Sequence, residues 1–383
     1  MKERKKTEMI VGRIIKKERI SEISDLLTGK IEPTDLQSLL LTLYENLVQR
    51  MKIRDVINQY RQNRFIQPCD LSQKELLGFD SLIFRVVPEE FESTELSPVS
   101  PLGANSLLTK INQKNILSTD INIEVVADVT MSLMLECIKK RSRLLRDNPI
   151  NSQEINLCAS HRCVRLQQFT KDLGFTPHFR VFGACTAGRD IGHEKFESEN
   201  LIKHISIYLD ILEAANKNGY FPEEISVSFS DIRIAEKIIK DFGIIRGEVG
   251  RNTQVKEFDL FNRFQIHLPG SISSIDEIPT GKIHRYQLYK SAEFLLEIEQ
   301  KAIKALKAKY PKVNFQFDIK RVAGIGYYET LCFKIMAKNK SGQEFPLADG
   351  GLTDWTKKLL GSKKERLFTS GFGSELFCRN FKA

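Results

Sequence analysis

The chain has 383 residues, of which 41% are apolar and 28% charged, the balance of a folded globular protein rather than a disordered or fibrous one. At roughly 100 to 200 residues per domain, two or three domains or one large α/β-type domain with insertions are expected. No stretch holds the eighteen or so uninterrupted apolar residues of a membrane span, and the lysine-rich start lacks an apolar signal segment, so a cytoplasmic protein that avoids membranes is expected.

Seven cysteines, none in a Cys-x-x-Cys pattern, and histidines without partners at ligand spacing predict free, mostly buried thiols in a reducing compartment and no metal site. Net charge is +9, and residues 1–20 hold eight Lys and Arg against three Glu. Residues 1–34 therefore read as a basic N-terminal arm that can attract phosphates by counterion release, which makes tRNA or another RNA a candidate partner. A solvated tail is the alternative.

In chain order, Leu36, Leu39, Leu40, Leu43 and Leu47 form the stripe of a helix from Asp35 to about Arg61. Residues 64–68 predict an edge strand ending at Pro68, and residues 79–89 a second strand. A proline-rich connector over 96–103 leads to a buried strand at 124–127 and a helix from 128 to 140 capped by Asp128. Residues 155–165 and 178–185 predict a hairpin with a long loop. Helices at 199–218 and 231–241 flank a strand at 225–229, and the mixed polarity of 250–285 suggests an inserted loop or small subdomain. A helix at 292–309, strands at 315–322 and 327–337, a glycine turn at 349–351, a helix at 353–360 and a short apolar end at 367–377 complete the chain. Strands outside any βαβ alternation point to a mostly antiparallel sheet flanked by helices, an α+β fold.

The hairpin carries the densest chemistry. Strand alternation puts Arg165 and Gln167 on one face, where a guanidinium can bind a phosphate or carboxylate bidentately, and Phe179 beside it can stack on a base. Solvated arginines around a core phenylalanine are the structural alternative. Asp349-Gly350-Gly351 lets backbone approach a ligand or simply turns, Gly371-Phe-Gly373 is half of a phosphate-cradling loop, and Tyr327-Tyr328 suits strand packing or a site.

Taken in order, these segments resemble the catalytic core of class II aminoacyl-tRNA synthetases, most closely the histidyl type. The long helix and strand ending at Pro68 look like motif 1. Val126-Ala-Asp-Val-Thr130 resembles the segment that grips the substrate amine, and Val164-Arg-Leu-Gln167 resembles motif 2. Val322-Ala-Gly-Ile-Gly-Tyr-Tyr328 and Gly350-Gly351 to Asp354 are similar to two histidyl-type signatures, and Gly371-Phe-Gly-Ser-Glu375 to motif 3.

The resemblance implies a class II synthetase-like antiparallel sheet of six or seven strands flanked by helices, a core over 35–383 with an insertion at about 190–315, and a homodimer formed through residues 35–70. It implies Arg165 and Gln167 as catalytic residues, and Arg165, Phe179 and Glu375 as nucleotide-binding residues. Asp128, Thr130, Tyr327, Tyr328, Gly350 and Gly351 would bind an amino acid, with ATP and Mg2+ as cofactors. The expected function is an amino-acid-binding, ATP-binding protein that forms an aminoacyl-adenylate. The alternatives are a non-catalytic paralogue like the regulatory subunit of ATP phosphoribosyltransferase, and an RNA binder. Ala323 and Leu376 stand where the family has arginines, Gly326 where it has aspartate and Gln167 where it has glutamate, and nothing after the motif 3 segment is long enough for an anticodon-binding domain. Adenylation rests on positive charge set against developing phosphate charge, so losing two guanidiniums removes much of that support.

Overall fold

The computed structural model describes Met9, Arg13 and residues 26–109, 111–118, 122–166, 176–244 and 260–382. The basic arm lies almost wholly outside these residues, as do Gln167 and residues 245–259 of the expected subdomain. The strands run β1 Glu92–Ser93, β2 Val99–Pro101, β3 Ile123–Val125, β4 Ile155–Val164, β5 His178–Arg189, β6 Glu223–Asp231, β7 Ser271–Ile272, β8 Asn314–Asp318, β9 Leu331–Lys338, β10 Glu344–Thr353 and β11 Glu365–Phe372. The longer helices are α1 Pro33–Gln49, α2 Ile53–Gln62, α3 Gln73–Val86, α4 Val129–Asp147, α5 Lys195–Asn216, α6 Ile232–Asp241, α7 Tyr289–Ile298 and α8 Ser374–Phe381.

Among the described residues nine strands share one sheet in the order β1-β4-β5-β11-β10-β9-β6-β8-β7, and β2 pairs with β3 apart from it. The β1/β4 and β6/β8 pairs are parallel and the remaining pairs antiparallel. The expected antiparallel sheet flanked by helices is therefore present, widened by two parallel pairs. Residues 190–315 are built into it, since β6 lies between β9 and β8 and α5 packs on the sheet.

Alternation along the strands divides the core in two. One face buries Phe182, Phe333 and Phe372 against Tyr208 of α5. The other buries Leu157, Ala159, Cys185 and Ala187 against Val129, Leu133 and Met134 of α4. A Cβ on Gly183 of β5 would lie 2.6 Å from Val129 Cγ1, so glycine is what lets the first turn of α4 settle on the sheet. The cysteines are free and all but Cys69 are buried, as expected.

Several local expectations give way. Residues 79–89, read as a strand from their β-branched end, belong mostly to α3, because Leu76, Phe79, Leu82 and Ile83 recur at helical spacing and are all buried. Residues 64–68 form no strand; the Asn63 side chain accepts the Phe65 N–H and turns the chain. The single helix over 35–61 is broken, since the Asp55 carboxylate accepts the Lys52 N–H and starts α2 afresh. The expected helix feeding a strand that ends at Pro68 is therefore not formed. Asp349-Gly350-Gly351 is strand, paired on both edges, and not a turn.

One ion pair ties α4 to the far end of the sheet. Arg141 and Glu365 are both fully buried; Arg141 Nε and Nη2 each donate to the Glu365 carboxylate at 2.9 Å, and the remaining donors reach the Gln153 and Asn151 carbonyls. Removing Arg141 leaves the buried Glu365 carboxylate with only the longer contact to Arg189 at 3.4 Å, so Arg141→Met should cost about 3–5 kcal/mol in urea unfolding, while Arg143→Met on the same helix should be near neutral. Equal losses for the two variants would show that the pair does not hold α4 in place.

Candidate functional site

A cavity of about 490 Å³ opens on the α4 face of the sheet, walled by the ends of β4 and β5, the start of α4, the 321–328 turn, and β9, β10 and β11. Five cationic side chains line it, Arg165, Arg180, Arg321, Lys334 and, from α8, Arg379, against two carboxylates, Asp128 and Asp349.

At one end the chain turns from β3 into α4. Asp128 caps that helix, its Oδ1 accepting the Thr130 N–H at 2.9 Å and the Thr130 hydroxyl at 2.7 Å. The Thr130 hydroxyl meets the Tyr327 hydroxyl at 2.7 Å, and Tyr327 also reaches Asp128 Oδ2 at 3.4 Å. Arg165 leaves β4 with its Nε on the Ala127 carbonyl at 2.8 Å and its Nη2 3.7 Å from Asp128, and its guanidinium lies 5.4 Å from the centre of the Phe179 ring. Burial and then Asp128 hold the Tyr327 hydroxyl far above its usual range, so it stays a protonated donor.

At the other end the 321–328 turn is closed by Gly324, whose φ of 95° places it in the left-handed region and whose missing Cβ leaves room for the Tyr328 ring. Tyr328 donates to Asp349 Oδ1, and Arg321 Nη2 donates to Asp349 Oδ2 at 2.6 Å. Arg321 Nε is taken by the Ala323 carbonyl at 2.9 Å. Burial opposes the charge on Arg321, and Asp349 outweighs that and keeps the guanidinium protonated. Lys334 stands directly across the β9/β10 pair from Asp349, and burial followed by repulsion from Arg321 lowers its pKa.

Glu375, expected at the nucleotide, stands behind the wall instead. It is 1% exposed and binds Arg162 at 2.8 Å, Arg379 at 3.2 Å and the Arg180 N–H at 3.2 Å. Arg180 is held in turn by Asp80 at 2.7 Å. A buried carboxylate at the start of α8 thus fixes the Arg162 and Arg379 guanidiniums and the β5 backbone at Arg180 behind the cavity wall.

Of the expected residues, Arg165, Phe179, Asp128, Thr130, Tyr327 and Tyr328 line one cavity. Gly350 and Gly351 do not. A Cβ on Gly350 would lie 2.5 Å from the Phe333 ring and the Ser370 Cβ, and one on Gly351 2.3 Å from the Leu331 carbonyl oxygen, so both glycines serve strand packing. Sequence reasoning passed over Arg321, Lys334, Asp349 and Arg379 as site residues. A lysine amid the apolar run Leu331-Cys-Phe-Lys-Ile-Met-Ala337 was the available signal for Lys334. Arg321, two residues before Ala323, and Arg379, three residues after Leu376, both line the cavity.

No family model and no curated protein matches the chain. Solved structures do. An ATP phosphoribosyltransferase regulatory subunit/histidyl-tRNA synthetase from Bacillus halodurans is similar with a TM-score of 0.58 at 13% identity, covering 83% of this chain and 82% of that one. A histidine–tRNA ligase subunit from Alicyclobacillus acidocaldarius gives 0.56 at 13%, over 82% of this chain and 96% of that one, and a histidyl-tRNA synthetase from Nostoc gives 0.56 at 14%, over 82% and 73%. The chain has the fold of a class II aminoacyl-tRNA synthetase core of the histidyl type.

If the glycines act through packing, Gly351→Ala should lose about 1–3 kcal/mol of stability, while Gly281→Ala, which meets nothing within 4 Å, should not. Chemical denaturation of the two variants decides this; an unaffected Gly351→Ala would return the glycine to the list of ligand contacts.

Proposed function

We propose that the cavity binds an amino acid together with ATP and joins the two through the amino acid's carboxylate. The observation that supports this most is that Arg165 faces the same cavity as Asp128, Thr130 and Tyr327, a cation suited to phosphate beside an anion and two hydroxyls suited to an amine. Under this reading Asp128, Thr130 and Tyr327 hold the substrate amine, since an anion and two hydroxyls on a helix cap suit an ammonium group. Arg165 would meet the phosphate next to the reacting carboxylate and Phe179 the adenine. Bound ATP supplies the electrophilic phosphorus. The chain's own residues orient the amine, balance phosphate charge and exclude water. Among the described residues no three His, Cys, Asp or Glu side chains gather as a metal-holding group, so in this reading Mg2+ arrives with the phosphates.

A regulator that binds an amino acid without activating it is the second reading, favoured by Ala323 and by the regulatory subunit among the similar structures. Amino-acid-dependent pyrophosphate exchange separates the two. Exchange with one amino acid, lost by at least about a hundredfold in Arg165→Ala, supports the ligase. Binding of an amino acid, read as a raised melting temperature, without exchange supports the regulator. No thermal shift with ATP or any amino acid removes both.

The reading includes a homodimer. No residue of α1 or α2 is buried, and Leu39, Leu43, Tyr44 and Leu47 are exposed along α1. Light scattering should give twice the chain mass, falling to the monomer in Leu43→Asp/Leu47→Asp; a wild-type monomer refutes it. RNA as an acceptor stays tied to the basic arm at residues 1–20. Among the described residues, no helix is long and apolar enough to cross a membrane.

A further inference from the structure

The Arg321 end of the cavity is more than a place for phosphate charge. Arg321 is 7% exposed, and two of its three nitrogens are committed, Nε to the Ala323 carbonyl and Nη2 to Asp349. Its Nη1 is buried with no hydrogen-bond partner. A buried donor left unmade costs about 1–3 kcal/mol, a cost that a bound acceptor removes. Lys334 lines the same end, and no hydrogen bond or ion pair of its ammonium group is found among the described residues.

The surrounding charges define what can enter. Asp349 is spent on Arg321 and Tyr328. Asp318 and Glu344 act on Lys334 at longer range, and burial raises the Asp318 carboxyl toward its neutral form. The guanidinium is held by its carboxylate and by the Tyr328 ring 5.7 Å away, so it cannot swing out to meet solvent without breaking both. Donors in excess of acceptors, fixed and partly dry, favour an oxyanion.

The two ends of the cavity are joined by consecutive residues. Tyr327 faces the Asp128 end and Tyr328 the Asp349 end, with their rings 4.9 Å apart. Both ends belong to one cavity of about 490 Å³.

We propose that the Arg321–Lys334 end binds the side-chain carboxylate of the substrate, which makes the substrate a dicarboxylic amino acid. This rests on the reading that the Asp128 end holds an amino acid's amine. A phosphate of the nucleotide has the same oxyanion chemistry and is the competing source.

Binding is measured by calorimetry with aspartate, glutamate, asparagine, glutamine, histidine and ATP, on the full chain and on Lys334→Met. Lys334→Met should fold, because an apolar side chain of similar length replaces a lysine whose charge is already disfavoured by burial. The expected result is an acidic amino acid bound about tenfold or more tightly than its amide, a preference that Lys334→Met reduces by a similar factor while ATP affinity is unchanged. Tighter binding of histidine or of an amide overturns the inference and leaves the amino-acid reading standing. Loss of ATP affinity in Lys334→Met with amino-acid binding unaltered assigns the end to phosphate and also overturns it. Failure of every amino acid to bind removes both.

Discussion

The buried carboxylate of Glu375 is the interaction on which the cavity depends. Carboxylates are expensive to bury and rarely fully hidden unless every oxygen is occupied. Here Glu375 gathers the backbone of β5 at Arg180, the side chain of Arg162 on β4 and the side chain of Arg379 on its own helix. The hairpin that carries Arg165 and Phe179 is thereby tied to α8, which carries Arg379. Without that anion, the Arg162 and Arg379 guanidiniums would lose the carboxylate they share, and the hairpin would lose its tie to α8.

Guanidiniums reach the cavity from separate elements of the chain. Arg321 comes from the 321–328 turn and Arg379 from α8, and both line it. What matters to a bound anion is where the charge stands and how dry its surroundings are, and not which backbone position supplies it. Arg321 is locked onto Asp349 and buried, a stiffer arrangement than a solvated arginine would give.

Sequence patterns carried the parts whose signals are local. The β4–β5 hairpin, the Asp128 cap, and the apolar strands around 225 and 331 follow from alternation and capping, and the structure has each of them. Residues 79–89 failed because Ile83 to Val87 is β-branched and aromatic, while the buried Leu76, Phe79 and Leu82 before it set the helical period. Asp349-Gly350-Gly351 read as a turn by composition, whereas partners far away in sequence, Phe333 and Ser370, impose the glycines. Arg321, Lys334 and Asp349 were illegible as a site for the same reason: they meet only once β9 lies beside β10. Local chemistry is written in the sequence, and cross-strand neighbourhood is written in the register.

Tyr327 and Tyr328 share a peptide bond and point to opposite tasks, and the backbone between them is drawn tight by two N–H groups on the single Gly324 carbonyl. Inserting or deleting one residue there would exchange the two rings and scramble both halves of the chamber at once. Single replacements further along β9 or β10, by contrast, can retune one half while the other is untouched. Each half of the chamber can change shape through point replacements, whereas the length of this turn has to stay fixed.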